Sequence, residues 1–540
     1  MEIYLIYLLP LVAIVYIVYH HITKDINYFH DKPIPSIAAK PLFGSTWRLV
    51  MKKIALHEFI IEIYNKYPLV KVFGMFDMTT PVFVVRDPEL IKRIGVKDFD
   101  YFVNHRSIFG NTDNNHPRAL FSKTLVALND QKWRNMRATI SPAFTGSKMR
   151  QMFDLVRECC ENMVKFYKDE VRAKGGSQEH EMKNVFTRFS NDVIATCAFG
   201  LKVDSMGNAN NDFYTNGKKM VAFDRPIVIL KMFGFQMAPR LMGWLGLDLF
   251  DREQNDFFTE IIRETVRTRE SDGIVRPDIV HLLMEARKGM LKHQKETKEE
   301  EEVKGFATVE ESEVSQVQVG KEMEMSEAEM VAQCLIFFLA GFDTVSTCLT
   351  FLAYELTLNR DVQDKLYKEI RETKASLGGG PLTYDAVQKM QYMDMVVSEV
   401  LRKWAPAPST DRVCVRDYVV DDGERLKFTI EKDTVVFFPI AGLHHDPQYY
   451  PNPGKFDPER FSPQNRDKIN PSTYLPFGIG PRNCIGSRFA LMEVKAIFYY
   501  MLMEFTFEKT PNTPVPLQLA KTIFGISSEK GMYVEFRPRV

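Results

Sequence analysis

The sequence predicts a mainly α-helical protein with a small β part, preceded by one N-terminal transmembrane helix. Two observations predict the helices and strands: long stretches carry apolar residues at helical spacing, and short β-type runs stand between them. The helical stretches include residues 149–171, 254–269 and 328–358, and the β-type runs are residues 69–73, 81–85, 434–438 and 532–536. A third observation, an uncharged apolar run at residues 3–19, predicts the membrane helix.

The N-terminal run "IYLIYLLPLVAIVYIVY", residues 3–19, is near the lower length limit for a bilayer-spanning helix and suits a thin membrane such as that of the endoplasmic reticulum. A cleaved signal peptide is the alternative. However, Glu2 precedes the run without any Lys or Arg, and no small-residue cleavage site follows it. We therefore favour a retained anchor over residues 1–24. Basic residues follow the run but none precedes it, which predicts a main domain on the cytoplasmic side.

The remaining chain predicts a connector followed by one large domain. Residues 25–48 contain Pro33, Pro35 and Pro41, and this spacing predicts a stiff, extended connector. No Ser/Gly-rich linker divides residues 49–540, and 45% of the whole chain is hydrophobic, which suits one large core. We therefore predict a single catalytic domain over residues 49–540.

Two segments of that domain have an unusual composition. Residues 287–321, which include "KETKEEEEVKG", predict a solvated, charged loop. Residues 226–239, "PIVILKMFGFQMAP", are apolar without a clean period. They belong either to the core or to a second surface that enters the membrane.

Charge and cysteine content exclude several classes of protein. The chain has 70 basic and 70 acidic residues, so no net field favours nucleic acid as a partner. Its 7 cysteines are odd in number and scattered, and no C-x-x-C pair occurs. This pattern is typical neither of a disulfide framework nor of a zinc site, and it predicts a reducing compartment.

The stretch "FGIGPRNCIG", residues 477–486, places Cys484 in a turn that is poor in apolar side chains. Gly478, Gly480 and Gly486 permit positive φ and the close approach of a bulky group. Backbone N–H groups, the arginine of the loop and the start of the next apolar segment would favour a thiolate, which is either a nucleophile or a metal ligand. A loop cysteine without a function is the alternative.

The predicted helix over residues 328–358 carries polar groups in its apolar middle. Ala340 and Gly341 remove side-chain bulk there, and Asp343 and Thr344 follow. An ionisable group in so apolar a helix costs free energy unless it serves a function. The notch either packs against another helix or forms a groove in which a small molecule lies beside a proton-donor pair.

Two further patterns are ordinary in isolation. Glu399 and Arg402 share one helix face at i, i+3 spacing, and Arg460 lies in the loop "FDPERF". Trp133 and Arg137 stand at i, i+4 spacing. This second pair either packs by a cation–π contact or points both sets of N–H groups at one anion.

Together the motifs resemble those of one family. The pattern F-G-x-G-x-R-x-C-x-G at residues 477–486 is similar, at every defined position, to the haem-binding loop of the cytochromes P450. A-G-x-D-T, E-x-x-R, F-x-x-E-R-F and W-x-x-x-R also occur, in the order typical of that family. The anchor and proline connector resemble the microsomal class. The stretches "FVNHRSIFG", "SPAFTGSKM" and "TDRVC" resemble the insect detoxification branch of the clan shared with vertebrate drug-metabolising forms.

The resemblance implies a cytochrome P450 fold and haem b as the cofactor, with Cys484 as the axial thiolate ligand of its iron. It implies the following cofactor-binding residues: Trp133, Arg137, Ala340, Gly341, Arg412, Phe477, Arg482 and Gly486. His105 and Arg106 are weaker candidates for the haem propionates. Asp343 and Thr344 would be catalytic, delivering protons during oxygen activation.

Other residues take structural, substrate-binding or partner-binding roles by the same resemblance. Glu399, Arg402 and Arg460 would form a buried structural network. The implied substrate pocket contains Phe121, Phe337, Phe338, Ala407 and Phe524. The implied basic face for an acidic reductase contains Lys132, Arg134 and Arg488.

These residues predict a membrane-anchored haem-thiolate monooxygenase of the endoplasmic reticulum. It would insert one oxygen atom from O2 into apolar organic substrates, xenobiotics such as insecticides or plant toxins. NADPH-cytochrome P450 reductase would supply the electrons, with cytochrome b5 as a second candidate partner. Two alternatives stay open: a haem-thiolate isomerase or dehydratase of peroxides, whose members tend to lose the acid-alcohol pair, and a non-catalytic haem sensor.

Overall fold

Helices make up most of the folded chain. The computed structural model describes residues 12, 16, 19, 20, 23–106, 120–245, 247–290, 306, 307, 325–423 and 425–539. Within these ranges the helices are α1 (Trp47–Val50), α2 (Leu56–Asn65), α3 (Pro88–Lys92), α4 (Asp130–Ile140), α5 (Gly146–Ala173), α6 (Met182–Ala198), α7 (Asp212–Val221), α8 (Pro226–Met237), α9 (Pro239–Trp244), α10 (Arg252–Asp272), α11 (Ile279–Arg287), α12 (Glu327–Leu358), α13 (Arg360–Ser376), α14 (Tyr384–Lys389), α15 (Gln391–Lys403), α16 (Ile440–His444) and α17 (Ser487–Glu504). The predicted mainly α architecture is confirmed. The predicted anchor at residues 3–19 lies almost entirely outside the described residues.

The strands form small sheets beside the helices. They are β1 (Val72–Asp77), β2 (Thr80–Val85), β3 (Gln178–Glu181), β4 (Thr410–Val413), β5 (Tyr418–Asp421), β6 (Lys427–Ile430), β7 (Val435–Phe438), β8 (Phe505–Glu508) and β9 (Tyr533–Pro538). The sheet orders are β1-β2-β7-β4, β3-β9-β8 and β5-β6. In the first sheet β2 runs parallel to β7, with Val82 opposite Val435. The small β part is therefore confirmed, although the run predicted at residues 69–73 begins later, at Val72.

The long helix α12 forms the centre of the core. A capping box begins it: Ser326 Oγ accepts a hydrogen bond from the backbone N–H of Glu329 at 3.2 Å, and the Glu329 carboxylate accepts one from the Ser326 N–H at 2.8 Å. The helix packs against α6, α15 and α17. Its length and composition would suit a membrane span, but 72% of its most apolar stretch is buried inside the protein. It is therefore a core helix, which brings the central residues of α12 next to α6 and α17.

The connector predicted at residues 25–48 packs onto the first sheet. Phe29 makes edge contacts with Phe76 and Phe83, with ring centroids 5.3 Å apart in both pairs. Ile34 is buried in the same cluster. The connector therefore contributes side chains to the core.

The apolar segment at residues 226–239 forms a surface helix over most of its length, α8. Ile227 and Leu230 are 50% and 64% exposed, whereas Val228 and Phe235 are buried. The interpretation of the whole segment as core is therefore wrong.

Six residues of the predicted charged loop lie within the described part of the chain: residues 287–290, of which Arg287 ends α11, and Phe306 and Ala307. The Phe306 ring packs against Phe461 and Tyr474, with centroid distances of 5.0 and 5.2 Å. Its backbone N–H donates to the Asp394 carboxylate at 2.8 Å. This short stretch therefore contacts the core beside α15.

Candidate active site

One cavity brings together most of the residues that the sequence predicts for the cofactor. It lies between α4, the middle of α12, the 477–486 loop and the start of α17. The predicted residues that line it are Trp133, Arg137, Phe337, Ala340, Gly341, Thr344, Ala407, Phe477, Arg482, Cys484 and Gly486. His105 also lines it. The cavity walls are largely apolar, so the few polar groups stand out.

The 477–486 loop folds tightly before α17 begins. The backbone N–H of Cys484 donates to the carbonyl of Phe477 at 2.8 Å. Gly478 and Gly480 have φ values of 79° and 68°, which other residues rarely adopt. A Cβ on Gly480 would stand 1.8 Å from the Gly95 carbonyl oxygen. The glycines thus allow the close turn that presents the cysteine to the cavity.

Gly486 differs from the prediction of positive φ, since its φ is −93°. The nearest atom to a Cβ on this glycine would belong to Phe144, at 4.0 Å. Gly486 lines the cavity, so its missing side chain leaves room there. The structure therefore uses the small size of Gly486, and does not use its ability to adopt a left-handed backbone conformation.

The Cys484 side chain is exposed to the cavity although it lies deep in the protein. Burial raises the pKa of the Cys484 thiol, while the Gly486 backbone N–H and the Arg137 charge act in the opposite direction. The Arg482 guanidinium, which we expected to favour the thiolate, donates its hydrogen bonds to backbone carbonyls and not to the sulfur. A coordinated metal ion deprotonates such a thiol outright.

Arg482 connects the loop to the chain segment before α4. Its Nε donates to the Val103 carbonyl at 2.8 Å, and its Nη atoms donate to the carbonyls of Leu125 at 3.3 Å and Leu128 at 2.7 Å. The guanidinium also lies 4.1 Å from the ring centroid of Trp133. Arg482 therefore supports the cavity wall as well as facing the cavity.

Two more buried arginines flank the same region. Arg137 on α4 donates to Asn483, to the carbonyl at 2.9 Å and to Oδ1 at 2.7 Å. Arg412 on β4 donates to the carbonyls of Ile479 at 2.8 Å and Asp411 at 2.6 Å. Its Nε is buried without a hydrogen-bond partner among the described residues, and Arg412 does not itself line the cavity. Both arginines thus fix the loop, Arg137 from the cavity wall and Arg412 from outside it.

The electrostatics of this cluster fit an anionic, flat ligand. Burial, and then the charges of Arg412 and Arg137, lower the pKa of Arg482, and burial lowers the pKa of Arg412 to about 10. A group that carries two carboxylates would relieve this repulsion. Ala340 and Gly486 both line the cavity and add little or no side-chain bulk to it. The residues present therefore fit haem, with the loop thiol as the iron ligand.

The two weaker candidates for the propionates separate in the structure. His105 lines the cavity, and its Nδ1 lies 3.3 Å from an oxygen of Asp411. Burial lowers the pKa of His105. Arg106 instead pairs with Asp77, away from the residues that line the cavity. His105 is therefore the better placed of the two.

The Ala340–Gly341 notch in α12 both packs against a neighbouring helix and borders the cavity, which are the two alternatives that the sequence left open. Ala340 and Thr344 face the cavity, and the Thr344 hydroxyl donates to the Ala340 carbonyl at 2.5 Å. A Cβ on Gly341 would stand 2.4 Å from the side chain of Ile194 on α6. Gly341 therefore permits close packing of α6 on α12, while its neighbours leave space in the cavity.

Asp343 occupies a different side of α12. The Lys183 ammonium, on α6, donates to the Asp343 carboxylate at 2.8 Å and to the hydroxyls of Ser346 at 2.9 Å and Thr347 at 2.8 Å. Asp343 is not among the described residues that line the cavity, and its side chain is 42% exposed. No local pattern indicates Lys183, since it stands 160 residues before its partner.

Comparison with known proteins decides the family. The sequence matches the cytochrome P450 family model over residues 34–534. This chain belongs to the cytochrome P450 family. It is 39% identical over 529 residues to probable cytochrome P450 9f2 of Drosophila melanogaster, covering 96% of this chain and 97% of that one. It is 40% identical over 540 residues to cytochrome P450 9e2 of Blattella germanica, with 97% and 96% covered. Cytochrome P450 6k1 of Blattella germanica is 34% identical over 536 residues, with 98% and 96% covered.

Membership makes this cytochrome P450 a monooxygenase of the oxidoreductase class, with a haem whose iron is held by a thiolate. The predicted resemblance to insect members is confirmed. Among the described residues no group of three or more His, Cys, Asp or Glu side chains could hold a metal ion. Two cysteines line the cavity, and of these Cys484, in the family's haem-binding loop, is exposed whereas Cys348 is buried, so Cys484 is the one that would hold the iron.

The phenylalanines of α12 correct one part of the predicted substrate pocket of this cytochrome P450. Phe337 lines the cavity and makes an edge contact with Phe144 at a centroid distance of 5.2 Å. Phe338 is fully buried on another face, 4.8 Å from Phe258 and 5.2 Å from Phe342 between centroids. Adjacent helical residues point about 100° apart, so only one of the two faces the cavity.

Two other predicted pocket residues also pack elsewhere. Phe121 packs against Phe250 at 5.8 Å, and Phe524 against Phe223 at 5.5 Å, between ring centroids. Neither is among the described residues that line the cavity. Leu125, from the segment that follows Phe121, lines the wall instead.

Glu399, Arg402 and Arg460 come together in a buried network outside the cavity. Arg402 donates to both oxygens of Glu399, at 2.7 and 2.8 Å, and to the His444 carbonyl at 2.7 Å. The Asp457 N–H donates to Glu399 at 2.9 Å, and Arg460 Nε lies 3.4 Å from the same oxygen. Both Glu399 and Arg402 are fully buried. The network ties α15 to α16 and to the 453–461 segment.

Arg488 does not belong to the basic surface that was predicted to contain Lys132, Arg134 and Arg488. Lys132 is exposed, and Arg134 pairs with Asp100 at 2.6 Å. Arg488 is only 9% exposed, so it belongs to the interior.

Proposed function

We propose that this cytochrome P450 is a membrane-anchored enzyme of the endoplasmic reticulum that inserts one oxygen atom from O2 into apolar organic molecules. Its substrates would be xenobiotics, such as insecticides or plant toxins. Electrons would come from NADPH through NADPH-cytochrome P450 reductase, with cytochrome b5 as a second electron donor. One observation carries the proposal: a single, largely apolar cavity contains the Cys484 thiol and the Thr344 hydroxyl together.

Each side chain at the cavity has a distinct proposed task. Haem, when bound, supplies the iron centre at which O2 is activated. The Cys484 sulfur would hold the iron. Trp133, Arg137 and Arg482 would hold the two carboxylates of the cofactor, supported by Arg412 from behind. Phe337 and Ala407 would contact the substrate on the apolar side of the cavity.

Proton supply is the task proposed for α12. The Thr344 hydroxyl gives its hydrogen to the Ala340 carbonyl, so its oxygen is available to accept a hydrogen bond from a water in the cavity. Asp343, one residue earlier, is partly exposed and paired with Lys183, which places a carboxyl group between solvent and the helix. We propose that protons pass from this solvent side to Thr344, which positions them at the cavity.

The surface supports association with a membrane. Ile227 and Leu230 on α8, and Leu241, Trp244 and Leu245 at α9, are between 50% and 81% exposed. Such a group of large apolar side chains is typical of a membrane or partner surface. Together with the apolar run at residues 3–19, it supports a location at the endoplasmic reticulum with the catalytic domain on the cytoplasmic side.

Thr344→Ala tests the proposed reaction. Haem binding and folding should persist, because alanine favours a helix and, among the described residues, the hydroxyl donates within α12. With the reductase and 7-ethoxycoumarin as an apolar probe, NADPH oxidation should continue while product per NADPH falls about tenfold, since positioned proton transfer contributes about 10²–10⁴-fold. Hydrogen peroxide should rise in proportion.

Thr350→Ala is the matched control. Thr350 lies on the same helix, makes the same kind of bond, to the Ser346 carbonyl at 2.6 Å, and does not line the cavity. It should keep the parent yield of product per NADPH. An equal yield in Thr344→Ala would remove Thr344 from the reaction. If no apolar probe supports O2-dependent NADPH oxidation, the isomerase and sensor alternatives replace the proposal.

A further inference from the structure

A buried amide on α12 holds the segment that forms one wall of the cavity. Gln333 is completely buried in an otherwise apolar stretch of α12. Its Oε1 accepts a hydrogen bond from the Leu125 N–H at 2.9 Å, and its Nε2 donates to the Lys123 carbonyl at 2.8 Å. A buried amide costs free energy unless it is hydrogen bonded, and here both ends of the amide bond the same segment.

The segment that receives these bonds has little regular structure of its own. Within residues 120–128 a 3-10 turn, Phe121–Lys123, is followed by a turn at residues 125–127 whose N–H bonds go to the Thr124 carbonyl, and neither turn bonds the Leu125 N–H. Leu125 and Val126 nevertheless line the cavity. Backbone groups without regular partners need side chains to hold them, and Gln333 supplies that support from α12.

Leu125 is held from two directions. Its N–H is bonded by Gln333, and its carbonyl accepts a bond from Arg482 of the cysteine loop at 3.3 Å. Gln333 stands eleven residues, or about three turns, before Thr344 and therefore on the same face of α12. One backbone unit thus bridges the helix that carries Thr344 and the loop that carries Cys484.

We infer that Gln333 is a positioning residue that sets substrate selectivity by fixing Leu125 at the cavity wall. Without the amide, the Leu125 N–H loses its hydrogen bond to Gln333, and the segment moves to regain one. The Leu125 side chain would then leave its present place, and the cavity would accept ligands of a different size. This inference rests on the proposed function only in that the cavity is taken to bind apolar substrates.

Gln333→Met, which keeps the length of the side chain and removes both polar groups, is the test. The holoprotein should keep its haem-thiolate spectrum, while exchange of the Leu125 amide hydrogen accelerates about tenfold, as expected for the loss of one hydrogen bond. Spectral titration with toluene and pyrene should show a change of about fivefold or more in the ratio of their dissociation constants. Gln333→Asn, an amide too short to span both partners, should shift both readouts in the same direction if the methionine variant does not fold.

The chain offers a matched control in Gln363 on α13. This glutamine is also fully buried, donates to the carbonyls of Leu356 and Phe507 at 3.0 Å, and accepts from the Phe507 N–H at 2.9 Å, but the residues it bonds, unlike Leu125, do not line the cavity. Gln363→Met should accelerate exchange at Phe507 and leave the ratio of dissociation constants unchanged. A merely structural role for Gln333 would make the two variants alike in that ratio.

Two outcomes overturn the inference. Unchanged exchange at Leu125 in both Gln333 variants would show that the amide does not hold the segment. Faster exchange with an unchanged ratio of dissociation constants would show that it does not set selectivity. If neither toluene nor pyrene perturbs the spectrum of the parent holoprotein, the proposed apolar-substrate function fails, whereas the exchange measurement still decides whether Gln333 anchors Leu125.

Discussion

Two glutamates of this cytochrome P450 are completely buried, and their surroundings are opposite. Glu399 on α15 accepts two hydrogen bonds from Arg402 and one from the Asp457 N–H, and Arg460 stands nearby. Glu493 on α17 has no hydrogen-bond partner on either carboxylate oxygen among the described residues. Burial raises the pKa of Glu493 well above its ordinary range, and the nearby Ser190 hydroxyl offsets only part of this.

The difference shows that burial alone does not determine what a carboxyl group does. The network at Glu399 compensates an ionised group with a guanidinium and backbone N–H groups, so removing one partner leaves a charge exposed to a low dielectric. The site at Glu493 offers no such compensation, so the protein buries the neutral acid. The contribution of Glu399 to stability therefore depends on its negative charge, whereas that of Glu493 depends on its being protonated and neutral.

Arg402→Leu should have the largest effect. It leaves Glu399 ionised and buried, and breaking a buried pair in this way costs about 3–5 kcal/mol. That is a large share of the stability of a typical domain, so we expect poor haem incorporation and aggregation. Arg360→Leu is the control, because Arg360 and Asp364 form an exposed pair on α13 that should contribute about 0.5 kcal/mol. A holoprotein with the parent unfolding midpoint would show that Arg402 is dispensable.

The same substitution at the two glutamates should give opposite results. Glu399→Gln removes the charge that Arg402 needs, and the lost charged hydrogen bonds predict a decrease of about 2–3 kcal/mol in the free energy of unfolding. Glu493→Gln replaces a neutral acid by a neutral amide of nearly the same shape, so stability at pH 7 should be equal or higher. Denaturant unfolding of both variants measures this. A large loss of stability in Glu493→Gln would mean that its carboxylate is ionised and paired.

The pH dependence of the free energy of unfolding should have opposite signs for the Glu399–Arg402 network and for the surroundings of Glu493. His444 lies beside Arg402, and burial, followed by the Arg402 charge, lowers the pKa of His444 to about 3. The folded protein keeps this imidazole neutral while the unfolded chain protonates it. Its contribution is therefore present above about pH 6.5 and is lost toward pH 3, by up to about 1.4 kcal/mol for each pH unit.

Glu493 should behave in the reverse sense. Its raised pKa means that the folded protein keeps the proton while the unfolded chain loses it above the ordinary carboxyl value. The contribution is present at low pH and is lost as pH rises, again by up to about 1.4 kcal/mol for each unit. The difference in unfolding free energy between Glu493→Gln and the parent should therefore grow with pH. A difference that does not change with pH would contradict a neutral Glu493.

The residues that the sequence could predict are those whose signal is local. Cys484, Trp133 and Arg137 belong to short motifs with fixed spacing, and the structure places all three at one cavity. The long helix α12 was also predictable, because its capping box and its apolar composition lie within one stretch of chain. Short strands such as β5 and β6, four residues each, were missed because so few residues carry little periodicity.

The contacts that depend on tertiary packing were not predictable. Phe337 and Phe338 are indistinguishable in the sequence, and only the packing of α12 decides which of them faces the cavity. Lys183 and Gln333 form hydrogen bonds with residues that lie 160 and 208 positions away in the sequence, and no local pattern near either residue indicates its partner. The sequence therefore located the chemistry of the site, while the fold determined its walls and supports.

The docking of Phe306 has a practical consequence for anyone who shortens this protein for crystallisation. Deletion of the whole charged stretch, residues 287–321, is an obvious way to shorten the chain. Phe306, however, covers Phe461 and Tyr474, and its N–H donates to Asp394, which also pairs with Lys495 on α17 at 2.7 Å. Cutting out the whole stretch would uncover two aromatic rings beside a buried ion pair. A shortened chain should keep Phe306 and remove residues on either side of it.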